Sequence, residues 1–137
     1  MTKRKSKTTE IINNFKMDKD VYALRKQVMN LIYEVKNLVP NLPRIDVRIG
    51  EATAKHFGTL GVARLNQNII WITKDAINKG TDFLRMTVLH ELVHTVYGFG
   101  HDEECPLMES YAKHVLPKKY ALKIFMKYHS KFSFKIS

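Results

Sequence analysis

Apolar residues recur at helical spacing in the first third of the chain. After a polar and basic arm at residues 1–17, Asp18 or Asp20 can begin a helix. Its apolar stripe follows the 3.6-residue period and consists of Val21, Leu24, Val28, Leu31, Ile32, Val35 and Leu38. Pro40 and Pro43 end this helix, because proline cannot continue it. The pattern therefore predicts an N-terminal helix with one buried face.

A period of two residues predicts strands in the next part of the chain. Residues 44–49 alternate polar and apolar side chains, which indicates a half-buried strand. Residues 60–65 and 69–73 are rich in apolar and β-branched side chains, and Asn66-Gln67-Asn68 separates them. Asparagine favours turns, so this segment predicts a β-hairpin.

A wide apolar surface predicts a largely buried helix from about residue 81 to 97, which Thr81 or Asp82 can cap. Its apolar residues are Phe83, Leu84, Met86, Val88, Leu89, Leu92, Val93 and Val96. A shorter helix from Pro106 to about Leu116 and a last helix from Pro117 to about Ser130 come after it. Polar side chains on the buried helix need partners, because burial removes their water.

These elements predict an α+β fold, with a short mixed sheet, an N-terminal helix, a central helix and C-terminal helices. A chain of 137 residues buries the core of one domain, which we assign to residues 18–137. No run approaches 18 apolar residues, so we expect no membrane span. The basic arm precedes no apolar segment, and Cys105 is the lone cysteine. Both features favour a reducing, cytoplasmic setting.

The central helix carries the spacing of a zinc site at His90, Glu91 and His94. Residues four apart lie on one face of a helix, so the two imidazoles can bind one metal ion. Zn²⁺ lowers the pKa of a bound water to roughly 7. The Glu91 carboxylate can take a proton from that water and deliver it to a leaving group. The pattern therefore predicts two zinc ligands and a general base.

The residues after this helix offer a third ligand. Gly98 and Gly100 can adopt a positive φ, which ends the helix and turns the chain. That turn can bring His101 back to the metal, leaving a fourth position for water, as in catalytic zinc sites. Glu109 and His114 are alternative ligands on the short helix predicted there.

Other side chains near this helix have candidate roles beside the ligands. Asp102 can orient a ligating histidine, although an ordinary solvated acid fits it better. Tyr97 and Tyr111 can stabilise an oxyanion, although most tyrosines at a helix end simply pack. His56 and His129 follow no ligand pattern, so we assign them to the surface or to packing.

The segment from His90 to His101 resembles the metzincin signature H-E-x-x-H-x-x-G-x-x-H, with one additional residue between His94 and Gly98. Cys105-Pro106-Leu107-Met108 is similar to the Met-turn segment of that family. A broader resemblance is to small zincins that include SprT-like proteases. It implies a zinc metallopeptidase in which His90, His94 and His101 bind the metal and Glu91 is catalytic. It also implies that the strand at residues 69–73 pairs with an extended substrate, by β-augmentation; the alternative is an ordinary core strand.

The same segment resembles the zinc-dependent endoribonucleases of ribosomal RNA maturation, whose motif is H-x-x-x-H-x-x-x-x-x-H. Here Glu91 replaces the glycine usual in that family, and six residues instead of five separate His94 from His101. Both differences favour the peptidase. A non-catalytic nucleic-acid-binding protein with a vestigial zinc site is a third interpretation.

The net charge of +10 lies at the two ends of the chain. Residues 1–7 contain four cations and residues 110–137 contain seven, with no acid in either segment. The residues between them carry 12 Lys and Arg against 13 acids. Beside a protein or peptide substrate, we therefore expect nucleic acid or another anionic partner at the basic ends, and no membrane. The pattern leaves the oligomeric state open.

Overall fold

The computed structural model describes residues 21–50, 61–63, 67–110 and 112–136. The predicted basic arm at residues 1–17, His56 and Tyr111 lie outside these ranges. Within them the chain forms helices beside a three-stranded sheet, which confirms the predicted α+β class.

The first helix, α1, covers residues 21–38. The middle of its predicted stripe is buried, with exposed fractions from 0% to 7% at Val28, Leu31, Ile32 and Val35. The prediction for Leu38 is wrong, because this side chain is 46% exposed. Val39 is buried in its place, and its N–H donates to the carbonyl of Val35 just before the turn at Pro40. The chain leaves the helix there, so the core contact shifts by one residue.

The strands are β1 (Asp46–Gly50), β2 (Gly61–Ala63) and β3 (Ile69–Thr73), in the order β1-β3-β2. β1 runs parallel to β3, and β2 runs antiparallel to it. The antiparallel pairing of β2 with β3 confirms the strand pairing of the predicted hairpin, and Asn66 of its predicted turn lies outside the described residues. Asn68, just before β3, adopts a φ of 58°, in the left-handed region that asparagine tolerates.

β3 is the central strand of this sheet, so the prediction that it pairs with substrate is wrong. Its backbone groups bond to β1 on one side and β2 on the other. Ile70 and Ile72 are fully buried, as expected for a core strand. Among the described strands, β1 and β2 form the edges, and β2 packs against the central helix.

The short helix α2 (Lys74–Asn78) follows β3, and the central helix α3 (Thr81–Leu92) follows α2. The predicted caps of α3 are wrong: Gly80, with a φ of 107°, is the N-cap. The Asp82 carboxylate instead accepts from Arg85 at 2.8 Å. Arg85 also donates to Glu34 at 2.8 Å, so this buried guanidinium joins α3 to α1.

Five residues of π-helix, Val93–Tyr97, continue α3. The predicted helix from Pro106 to Leu116 is wrong, because the described residues of that segment form turns. Two backbone bonds fold it, from Asp102 N to the Met108 carbonyl at 2.8 Å and from Met108 N to the Cys105 carbonyl at 3.0 Å. We call residues 98–110 the return loop.

The last helix, α4 (Lys118–Ile136), is longer than predicted and packs against α3 and the π-helix. The core is centred on α3 and the start of the π-helix, where Val88, Leu89, Leu92 and Val93 are fully buried. Phe125 of α4 and Met108 of the return loop complete it, also without exposure. In the described part of the chain, no helix is long and apolar enough to cross a membrane.

Candidate metal centre

The structure brings His90, His94 and His101 into one cluster, in which one possible ligand atom from each lies within 4.8 Å of the others. The ring centroids are 4.7 Å apart for His90 and His94, 5.2 Å for His90 and His101, and 4.8 Å for His94 and His101. His90 comes from the last turn of α3, His94 from the π-helix that continues it, and His101 from the return loop. The residues predicted as ligands therefore meet at one point.

Backbone carbonyls fix the ring orientation of the two helical histidines. His90 Nδ1 lies 2.7 Å from the Leu107 carbonyl oxygen, and His94 Nδ1 lies 2.7 Å from the Phe99 carbonyl oxygen. A carbonyl only accepts, so each Nδ1 carries the proton and donates it. Each neutral ring consequently presents the lone pair of Nε2 to the cluster, which is the form that binds metal.

The two Nε2 atoms face each other at 3.1 Å. Two unprotonated nitrogens at this distance repel each other unless a cation or a shared proton lies between them. Nitrogen ligands 2.0–2.1 Å from a tetrahedral zinc ion are about 3.3 Å apart. The observed separation therefore fits two adjacent ligands of one zinc ion, and three imidazoles leave a fourth position.

Burial keeps the helical histidines neutral. It lowers the pKa of His90 to about 4, against the opposing effect of the hydrogen bond to Leu107, and the neighbouring His94 and His101 lower it further. Burial also lowers the pKa of His94, again against its hydrogen bond to a carbonyl. Both rings are therefore uncharged at neutral pH, so metal need not displace a proton from them.

The π-helix accounts for the additional residue between His94 and Gly98. A π-turn closes its hydrogen bond over five residues instead of four, so it contains one more residue than an α-turn. Val93–Tyr97 forms such a turn directly around His94. The π-turn accommodates the additional residue. His101 therefore reaches the cluster although it lies one position later in the sequence than in the metzincin signature.

Two contacts hold the end of this helix in place. Gly98 adopts a φ of 73°, and its N–H donates to the His94 carbonyl at 3.1 Å. This left-handed conformation favours glycine and reverses the chain into the return loop. The Thr95 hydroxyl, which is fully buried, accepts from Ile69 N at 3.2 Å and so joins the π-helix to β3.

Glu91 is buried beside the histidines. Its side chain has only 4% exposure, and Oε1 lies 3.7 Å from His90 Nε2. Its Oε2 is buried and has no hydrogen-bond partner in the described part of the chain. Burial raises the pKa of Glu91 to about 8. An unpartnered carboxyl oxygen beside three imidazoles suits a proton acceptor whose partner is a water or a substrate.

The other sequence candidates lie elsewhere. Glu109 and His114 are outside the cluster, and His114 is exposed. Asp102 accepts from the Glu104 N–H at 3.0 Å, which forms a turn of the return loop. The Tyr97 hydroxyl is 2.8 Å from His129 Nδ1 on α4, so its hydrogen bond points away from the three histidines of the cluster.

The groups that orient the histidines were not predicted from the sequence. The carbonyls of Phe99 and Leu107 have no residue-type signal, because every residue carries a carbonyl. Ser110 and Glu103, which contact His101 directly and through the serine, stand in an ordinary polar segment. A scan against protein-family models and a search of curated proteins each find no match to this chain.

Proposed function

We propose that the protein is a zinc-dependent metallopeptidase. The observation that supports this most strongly is the cluster of His90, His94 and His101 with the buried carboxyl of Glu91 at its side. Three imidazole nitrogens and an open position are the donor set of a catalytic zinc ion. Sulfur is absent from the cluster, which distinguishes it from the thiolate-rich structural sites.

Zinc in this cluster would supply a water of lowered pKa and would polarise the scissile carbonyl. Glu91 accepts the proton of the attacking water at the free Oε2 atom and passes it to the leaving amine. Its position supports this role, because the buried Oε2 has no hydrogen-bond partner among the described residues and can accept from a water. The carbonyls of Leu107 and Phe99 keep the two helical imidazoles aligned throughout.

The sheet offers an edge for an extended substrate at β2 instead of at β3. β2 is an edge of the sheet as described and packs against the central helix. An extended peptide can bond to the outer backbone groups of such a strand. We therefore propose that the scissile bond approaches the cluster along β2.

A second feature favours an anionic partner. Lys119, Lys123 and Lys127 are exposed at four-residue spacing on α4, and we call them the lysine face. No acid occurs from residue 110 to the end of the sequence, so nothing on α4 neutralises them. Tyr120 is 50% exposed next to this face. Regularly spaced lysines beside an exposed aromatic ring fit the phosphates and bases of nucleic acid.

The lysine face borders a groove of about 220 Å³ between α4 and the return loop. Lys127 and Lys131 line the groove from α4, and Asp102 lines it from the loop that carries His101. The groove therefore joins the lysine face to the loop that carries His101. This favours the endoribonuclease as the second candidate function, with the same zinc ligands and base.

One experiment separates these functions. Zinc-loaded protein is incubated with casein and with structured RNA, with and without chelator, beside Glu91→Gln as the inactive control. Peptide-bond cleavage that chelator and Glu91→Gln both abolish is the expected result. Cleavage of RNA alone with the same dependence would replace the peptidase by the endoribonuclease. Stoichiometric zinc with neither activity would favour a vestigial site.

A further inference from the structure

A serine and a glutamate stand behind the third histidine. The Glu103 Oε1 atom accepts from the Ser110 backbone N–H at 3.0 Å and also accepts a short hydrogen bond from the Ser110 hydroxyl. The Ser110 hydroxyl has one proton, which it donates in the hydrogen bond to the carboxylate. The serine oxygen therefore has only lone pairs to offer its other neighbour, His101 Nδ1, at 3.4 Å.

This arrangement decides which nitrogen of His101 carries the proton. Because the serine oxygen accepts, Nδ1 of His101 must donate, and the lone pair of a neutral ring is left on Nε2. The same tautomer is imposed on His90 and His94 by carbonyl oxygens. All three rings of the cluster thus have an oxygen acceptor at Nδ1.

His101 needs such a partner more than the two helical histidines do. Its side chain is exposed and comes from a loop, so packing restricts its rotation less. The return loop itself is held firmly, because Leu107 and Met108 have exposed fractions of 2% and 0%. Ser110 and Glu103 lie on the same loop as His101, so they can supply its ring with a hydrogen-bond partner from an anchored segment.

We propose that Glu103 and Ser110 are positioning residues that select the metal-binding tautomer of His101. The proposal rests on the zinc site proposed above and assigns two residues to it that make no contact with the metal. The carboxylate acts through the serine hydroxyl, and the serine acts through the imidazole. Through its hydrogen bonds with Ser110, Glu103 also links the first half of the return loop to its last residue.

Zinc affinity provides the first test, measured with a competing chelator. Ser110→Ala and Glu103→Gln should each weaken binding by about tenfold, the lower end of the effect of such outer partners, because the 3.4 Å contact is long. Ser110→Thr keeps the hydroxyl and should retain the affinity. Glu104→Gln and Ser130→Ala are matched controls at exposed positions. Wild-type affinity in both Ser110→Ala and Glu103→Gln would overturn the proposal.

Nitrogen-15 NMR of the zinc-free protein provides a test that is independent of metal. The ring shifts of His101 should report a proton on Nδ1 in the wild type and in Ser110→Thr, and a mixture of tautomers in Ser110→Ala. The same mixture in wild type and Ser110→Ala would refute the positioning role even if zinc binds. If the protein bound no zinc but this tautomer change occurred, the proposed function would fail while the positioning role stood.

Discussion

Deleting Val96 tests whether the π-helix absorbs the additional residue. The deletion restores the spacing H-E-x-x-H-x-x-G-x-x-H. Of the three residues between His94 and Gly98, Val96 is half-exposed, whereas Thr95 and Tyr97 are buried. An α-turn can then replace the π-turn without moving either end. We expect His101 to stay in the cluster and the dissociation constant for zinc to change by less than about threefold.

Helix geometry gives the displacement of His101 that we expect if the π-helix does not absorb the additional residue. Removing one residue from a continuous α-helix rotates the rest of the chain by about 100° and shifts it by about 1.5 Å. Applied to the return loop, that rotation would carry His101 and the Leu107 carbonyl away from the helical histidines. Zinc affinity would then fall by far more than the roughly 10-fold to 100-fold loss that follows when only a hydrogen-bond partner of a metal ligand is removed.

The assay is a zinc titration with a chromophoric competitor, with circular dichroism and thermal melting as checks on folding. Loss of the Val96 side chain costs about 1 kcal/mol, which lowers Tm by about 4 °C in a domain of this size. Deletion of Thr87, also half-exposed but inside α3, is the matched control and should unfold the protein. A folded Val96-deleted protein that has lost zinc binding would refute the reasoning.

Three further predictions concern the base, pH and charge. Glu91→Gln should retain one zinc per chain by metal analysis while hydrolysis falls by at least about 100-fold; loss of zinc would make Glu91 structural. Burial raises the pKa of Tyr97 from 10.0 to about 12. The folded state therefore holds this proton more tightly than the unfolded state, and stability should fall between about pH 10 and pH 12, by roughly 1–3 kcal/mol. Urea unfolding of Tyr97→Phe should lack this loss of stability at high pH. The same pH dependence in Tyr97→Phe and wild type would contradict the raised pKa of Tyr97. Neutralising the lysine face should reduce the slope of log affinity for RNA against log salt by about 2, whereas neutralising Lys26 and Lys36 on α1 should not; equal effects would show that only net charge matters.

Helix α3 and its two histidines could be predicted from the sequence alone. Contacts between residues four apart depend only on the helical period, so His90 and His94 share a face in any fold that keeps α3 helical. The buried stripe of α1 and the pairing of β2 with β3 were predicted on similarly local grounds. The errors at Leu38 and at the N-cap of α3 arose where a helix begins or ends, since tertiary contacts decide those positions.

Only the tertiary structure decided the surroundings of those two histidines. The position of β3 in the centre of the sheet depends on β1, which lies far away in sequence and pairs in parallel. The π-turn that brings His101 to the cluster is an adjustment of backbone hydrogen bonds, which residue types do not encode clearly. The acceptors at Leu107, Phe99 and Ser110 depend on the path of the return loop. Local periodicity therefore determined the positions of His90, Glu91 and His94 on the helix, and chain reversal determined the position of His101 and the orientation of all three imidazoles.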